Sequence, residues 1–223
     1  MELTNRNQRY DSPNMLKKPR TLAQIETDAA SPDQQTRGGA VQELLLRVRK
    51  DPRLNDAALP IFRRHVDTAP DAWTVTSCAR GIELIEGAEK ARATWLALLH
   101  RADAQLVAGI ALALTDLSYA PALLELLTRR PEPVIHNCVI RTLGRMRVPA
   151  AFPIIVEHLK DPATRADAIQ ALSEFGDPAA IAHLEPFVHE TSDSGQTDDR
   201  GWPLRVCDLA DDAIRMLRRR SGA

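Results

Sequence analysis

The sequence predicts an all-α fold, a right-handed α–α superhelix built from about six pairs of short helices. One reason is an internal repeat, because an isoleucine recurs in the same phase of four helical segments, at Ile82, Ile110, Ile140 and Ile169. Repeats of about 20 to 50 residues are typical of solenoids, in which each unit stacks on the next. The other reason is composition, since 4% of the residues are aromatic and alanine and leucine are abundant, which favours closely packed helices. Heptads, βαβ alternation and period-2 patterns are absent, which argues against a coiled coil, a Rossmann-type fold and an all-β fold.

Each repeat contains two helical stretches. The isoleucines mark second helices around 79–86, 107–115, 137–145 and 166–174, and first helices with their own apolar side lie at 94–100, 121–128 and 153–159. Extending the phase predicts further helices at 36–50, 57–67 and 72–86, and then at 179–189 and 203–220. Asp161-Pro162 and Asp177-Pro178 are predicted helix starts, because an aspartate accepts amide hydrogen bonds there and a proline suits the first turn.

The chain is predicted to form one domain with two less regular parts. Residues 21–220 form the solenoid, and residues 1–20, rich in asparagine, arginine and lysine, are expected to form a flexible N-terminal arm. A polar loop at 190–203 is inserted between the helices of the last pair, where the other pairs use shorter connections. Such a loop is typical of a binding element, and the alternative is a mobile loop whose Trp202 caps the last layer of the core.

One segment carries a family resemblance. Residues 152–178 resemble a short HEAT repeat of the kind found in phycobilin-lyase-like proteins, which have an armadillo-type fold; the matching positions are Asp161-Pro162, Arg165, Ala168, Ala171-Leu172 and Gly176-Asp177-Pro178. In the preceding segment Gly144 stands at the Leu-Gly position, but residues 145–149 depart from the Gly-Asp-Pro turn. The resemblance covers residues 89–220 and extends to 20–88 by extrapolation of the period.

Several classes of function are disfavoured by composition and motifs. The formal charge of −1 gives no global attraction to nucleic acid or anionic lipid. The three cysteines are far apart, the six histidines are scattered, and there is no phosphate-binding loop or catalytic serine motif. We therefore expect no enzymatic activity, no metal, no cofactor and no membrane or nucleic-acid partner, and a cytoplasmic location.

The candidate contact residues lie on second helices and in the inserted loop. Four arginines recur near the start or end of second helices, which in such stacks line the concave surface: Arg141, Arg145, Arg165 and Arg205. The loop adds polar and aromatic residues of types that are common at binding hot spots: Asp198, Asp199, Arg200 and Trp202. The alternative for each arginine is a structural role, in which it pairs with a nearby carboxylate such as Asp167, Glu174 or Asp208.

The favoured function is therefore a non-catalytic scaffold that binds a protein partner on its concave face. The resemblance implies one particular form of it, a bacterial immunity protein that neutralises a toxin. It equally implies the alternative of a bilin-lyase-like enzyme or chaperone. The least favoured alternative is a HEAT-like DNA glycosylase, suggested by Asp71 and Trp73 but opposed by the neutral charge and the few aromatic residues.

Overall fold

Two layers of α-helices make up the protein in a computed structural model that describes residues 19–222. The first helices of the pairs are α1 (Leu22–Ala29), α3 (Asn55–Thr68), α5 (Ala88–Leu99), α7 (Ala120–Arg129), α9 (Phe152–His158) and α11 (Ala180–Leu184). The second helices are α2 (Gln34–Lys50), α4 (Ala72–Glu86), α6 (Ala104–Ala113), α8 (Pro133–Arg145), α10 (Arg165–Phe175) and α12 (Val206–Ser221). The predicted arm, residues 1–20, lies outside the described residues except for Pro19 and Arg20.

The helices stack as consecutive pairs. Each second helix packs against the second helix of the next pair, from α2 through α12, whereas contacts between first helices are sparser. The apolar sides of the two layers meet in a continuous core, in which the four isoleucines of the repeat are at most 2% exposed. Burying a side chain of this size contributes about 1.5 to 3 kcal/mol. The predicted all-α solenoid of six helix pairs is confirmed.

The first pair contains a helix that the repeat phase does not predict. Helix α1 begins with a capping box, in which the Thr21 hydroxyl accepts the Gln24 N–H and the Gln24 side chain accepts the Thr21 N–H. Arg20 donates to Asp28 of α1 and to Glu43 of α2, each at 2.7 Å. These contacts hold α1 against α2 and complete the first pair.

The helix starts are only partly as predicted. Asp33, Asp71 and Asp103 are the N-caps of α2, α4 and α6, and each carboxylate accepts the backbone N–H three residues further on. Asp161 and Asp177 instead accept the N–H two residues further on, inside turns, while α10 and α11 begin after Thr164 and Ala179. The prediction that these two aspartates start helices is therefore wrong.

The chain turns after the end of α8 at Arg147, and Gly144, the glycine of the Leu-Gly position, lies inside the helix. Gly144 is buried against the backbone of α10, since a Cβ on it would be 2.5 Å from the Ala171 carbonyl oxygen. The residue with positive φ is Arg147, at 53°, one repeat before Gly176 of the next unit, at 80°. Gly144 is therefore a contact point between two second helices rather than a turn residue.

The inserted segment forms a β-hairpin rather than an irregular loop. Strands β1 (Asp193–Thr197) and β2 (Pro203–Arg205) are antiparallel, with Asp193 opposite Arg205 and Thr197 opposite Pro203, and the register shifts between them. Strand β1 packs against α10 and β2 against α12. The last helix consequently begins at Val206 rather than at 203.

Within residues 19–222, no helix is both long enough and apolar enough to cross a membrane.

Candidate partner-binding surface

Large apolar side chains are exposed on one layer of the protein and not on the other. Among the described residues, four of the six exposed ones lie on second helices, at Leu46, Trp73, Leu84 and Met216. The other two are Leu117, in a 3₁₀ turn, and Trp202, on the hairpin. We call the exposed side of the second helices, which includes the first four of these residues, the open face. A contiguous apolar surface is typical of a binding face. Leu46, Trp73 and Leu84 lie on the neighbouring helices α2 and α4, and Met216 lies apart from them on α12.

A groove between the last two second helices is part of the open face. Its volume is about 260 Å³, and it is lined by Ile169, Gln170, Ser173, Glu174, Leu209, Asp212, Ala213 and Met216. The floor is apolar, and two carboxylates stand on its rim. A groove of this size takes one or two side chains and is smaller than the ~300 to 1,000 Å³ pockets that bury small ligands. We call it the α10–α12 groove.

The hairpin borders this groove. The Gln170 side-chain amide, which lines the groove, donates to the Gln196 side-chain oxygen of β1 at 2.5 Å. The Ser194 hydroxyl donates across the hairpin to the Leu204 carbonyl at 2.6 Å. These bonds hold the hairpin against the end of the open face.

The tip of the hairpin presents Trp202 to solvent. Trp202 is 70% exposed, so the alternative in which it caps the last core layer is wrong. Asp198 orders the turn, because its carboxylate accepts the Arg200 and Trp202 N–H groups at 2.8 and 2.9 Å and its own N–H donates to the Trp202 carbonyl. Gly201, with φ at 82°, completes the turn where a side chain would be strained. Asp199 and Arg200 are exposed beside it.

Polar side chains lie between α8 and α10 on the open face. The Arg141 guanidinium is 3.8 Å from the Asp167 carboxylate. Burial raises the pKa of Asp167, and the positive charge of Arg141 opposes this shift. Asn137 Oδ1 and Arg141 Nε are buried without a hydrogen-bond partner among the described residues. One acceptor and one donor, a helical turn apart, are thus unsatisfied at the contact between α8 and α10 in the described part of the chain.

Arg145 and Arg165 do not face a carboxylate across α8 and α10 as Arg141 does. Arg145, in the last turn of α8, donates to the Leu112 and Leu114 carbonyls at the end of α6. Arg165, in the first turn of α10, donates to the Leu159 carbonyl and pairs with Glu190 at 2.6 Å. Helix ends leave carbonyls unpaired, and the guanidinium groups of these two arginines bond to such carbonyls. These contacts fit the structural alternative, and a role of Arg145 and Arg165 in partner binding stays a prediction.

Arg205 also makes a local contact. It precedes α12, where its backbone N–H and its guanidinium both bond to the Asp208 carboxylate. This contact lowers the pKa of Asp208. The contacts of Arg205 therefore match the structural alternative, in which the arginine pairs with a nearby carboxylate.

Two arginines that sequence reasoning missed hold adjacent pairs together. Arg101, after α5, donates to the Val66 and Asp67 carbonyls at the end of α3, each at 2.8 Å. Arg130, after α7, donates in the same way to the Arg101 and Ala102 carbonyls. Their separation equals one repeat, 29 residues, and that spacing was the signal that could have identified them.

Asp71 and Trp73, the two residues that suggested a glycosylase, both make contacts that hold α4 against α2. The Asp71 carboxylate caps α4 and forms an ion pair with Arg37 at 2.6 Å, with the two side chains 15% and 6% exposed. The Trp73 ring lies against Gly38 of α2, where a Cβ would be 2.3 Å from the indole.

Cys78 and Cys138 show no sign of a reactive thiol. Burial raises the pKa of the Cys78 and Cys138 thiols, which disfavours the nucleophilic thiolate. In the part of the chain described here, no three histidine, cysteine or acidic side chains are grouped as metal ligands.

Comparison with known proteins identifies part of the solenoid. Residues 120–197, about a third of the chain, match the family model of HEAT repeats. The match runs from α7 through α10 to the end of β1, and so includes one wall of the α10–α12 groove. HEAT repeats are generally protein-interaction modules and are usually non-catalytic. A search of curated proteins found no significant match.

Proposed function

We propose that the protein is an interaction module that binds a protein partner with its open face and hairpin. The observation that carries this proposal is the distribution of exposed apolar side chains, which lie on second helices and the hairpin while the described first helices display none of comparable size. The HEAT-repeat match supports the same type of function. In α–α superhelices the second helices form the concave surface, which suits an extended contact with a folded partner.

The proposal is tested by co-purification with matched surface variants. Leu84→Glu with Met216→Glu places charge on the open face, and Ala57→Glu with Ala182→Glu places the same charge at exposed positions of α3 and α11. Proteins retained by the tagged full-length chain in its source cells are quantified by mass spectrometry. We expect the open-face variant to lose a specific partner that the first-helix variant retains, because charge at the centre of an apolar contact is not solvated.

Circular dichroism and thermal unfolding establish that both variants are folded. A partner that binds equally to the wild type and the open-face variant, or is lost only from the first-helix variant, contradicts the proposed surface.

The identity of the partner is a narrower proposal. The sequence resemblance predicts a toxin encoded near this protein, and the physical requirement is that the toxin covers the open face. Co-expression of the neighbouring gene product with the wild type or the open-face variant measures this directly. Rescue of growth by the wild type and loss of rescue in the variant are expected, while the absence of growth inhibition by the neighbouring product rules that partner out as a toxin.

A further inference from the structure

The charge around the α10–α12 groove differs from that of the whole chain. Residues 166–220, which run to the last turn of α12, contain eleven acidic residues and six arginines, hence a net charge of −5, whereas the full chain carries −1. Two of these arginines are already matched by carboxylates of the same segment, Arg205 by Asp208 and Arg215 by Asp212. The arginines at 218–220 follow in the last turn of α12, where Arg220 donates to the Ser173 carbonyl. Asp167, Glu185 and Glu190 are also paired with arginines. The groove lining and the hairpin themselves keep a negative balance, with five carboxylates against two arginines: Glu174, Asp193, Asp198, Asp199 and Asp212 against Arg200 and Arg205.

Apolar and aromatic side chains lie within this negative surface. Met216 is 45% exposed in the groove, and its flexible thioether adapts to different apolar side chains. Trp202 lies on a turn in which the Asp198 carboxylate accepts the Trp202 N–H and the Asp198 N–H donates to the Trp202 carbonyl. An aromatic ring in an ordered turn loses little conformational entropy on binding, and its face attracts a cation.

Resting on the function proposed above, we propose that the groove and hairpin recognise a basic segment of the protein partner. One apolar side chain of this segment enters the groove beside Met216. Its lysine or arginine side chains face Glu174 on the groove rim and stack on Trp202 near Asp199. Asp198 is a positioning residue, since its carboxylate is used to hold the turn that displays the indole ring.

The chemistry of the segment is tested with a random-peptide library displayed on phage, selected against the purified full-length protein. Enriched peptides are synthesised with a fluorescein label, and their Kd is measured by fluorescence anisotropy. We expect enriched peptides to combine an apolar residue with two or more lysines or arginines. The affinity should fall as NaCl is raised from about 50 to 500 mM, because the exposed charges are screened.

Variants locate the binding site of these peptides. Met216→Glu and Trp202→Ser should each weaken binding about tenfold or more, as expected for central anchors. Asp198→Asn keeps the oxygen that accepts the turn hydrogen bonds and removes one charge, so it should weaken binding less than Asp198→Ala, which also releases the turn. Asp56→Asn, at an exposed position of α3, removes an equal charge and should leave the Kd unchanged.

Three outcomes of the peptide measurements would overturn this inference, as would a library without binders. They are enrichment of acidic or uncharged peptides, equal effects of Asp198→Asn and Asp198→Ala, and peptide binding that survives Met216→Glu and Trp202→Ser but is lost in Leu84→Glu. The last result would leave the open face as the binding surface and move the site to its N-terminal half. A library that yields no binder overturns the basic-segment proposal, while the co-purification experiment separately decides whether the open face binds a partner.

Discussion

His65 illustrates how a single buried polar side chain affects this fold. It lies on α3, is 5% exposed, and its Nε2 atom has no hydrogen-bond partner in the described part of the chain. Burial and, to a smaller extent, the positive charge of Arg64 lower the pKa of His65, while Glu26 of α1 opposes the shift. The native state therefore binds a proton less readily at this site than the unfolded chain does.

This shift predicts a loss of stability under mildly acidic conditions. Because the folded pKa lies below the unfolded one, the free energy of unfolding should decrease as the pH falls through about 6.5, the unfolded value, towards the folded pKa. His65→Leu should show a smaller decrease between neutral pH and that range than the wild type in urea unfolding at a series of pH values. Burial lowers the pKa of His158 in the same direction, so part of the decrease should remain.

Exposed His183 provides the control for this measurement. His183→Gln should retain the pH profile of the wild type. An unchanged profile in His65→Leu would show that the buried imidazole does not control the acid sensitivity.

At the scale of elements, glycines set how closely second helices approach. A Cβ at Gly144 would lie 2.5 Å from the Ala171 carbonyl oxygen and 2.9 Å from its Cα, both backbone atoms of α10. A Cβ at Gly39 of α2 would meet nothing within 4 Å. The same substitution is therefore expected to have opposite effects at the two positions.

Gly144→Ala should destabilise the protein by about 1 to 3 kcal/mol, because the backbones of α8 and α10 must separate. Gly39→Ala should stabilise it by about 0.5 to 1 kcal/mol, because alanine restricts the unfolded chain and suits a helix interior. Urea unfolding of both variants measures the difference, with each variant serving as the control for the other. Equal effects would contradict a close approach of α8 and α10 at Gly144.

At the scale of the whole molecule, stability depends on how many neighbouring pairs each unit has. Helix α8 packs against α6 on one side and α10 on the other, whereas α11 has five residues and packs in the last pair. In a solenoid, stability is approximately the sum of repeat and interface contributions, so terminal units open more easily than central ones.

Hydrogen exchange measured by mass spectrometry should therefore show a gradient along the chain. Amides of α8 should exchange slowest, at rates set by global unfolding, and those of α11 should exchange by local opening at a smaller free-energy cost. Gly144→Ala is the matched perturbation, since it should accelerate exchange in α8 and α10 more than in α2. Uniform protection of α8 and α11 would instead indicate that the solenoid unfolds as a single cooperative unit.

The sequence predicts a helix correctly where a periodic pattern of apolar residues marks it, and it misses elements that lack this pattern. The four isoleucines identify the repeat because a buried helical face requires an apolar residue in every unit, and the predicted helix 72–86 coincides with α4. Helix α1 was missed because it lies outside the isoleucine phase, although its Thr21–Gln24 capping box was visible in the sequence. The hairpin was missed because short polar strands lack an alternating apolar pattern.

The architecture, an all-α stack of helix pairs, follows from the sequence pattern, because periodic burial of apolar side chains is a local property that each repeat encodes. The contacts of individual polar residues became known from the three-dimensional structure. It showed that Arg145 and Arg165 bond to carbonyls at helix ends, that Arg141 faces Asp167, and that Trp202 is held in solvent by Asp198. An arginine reaches any acceptor within several ångströms, so its partner depends on packing between repeats, which spacing along the chain does not specify.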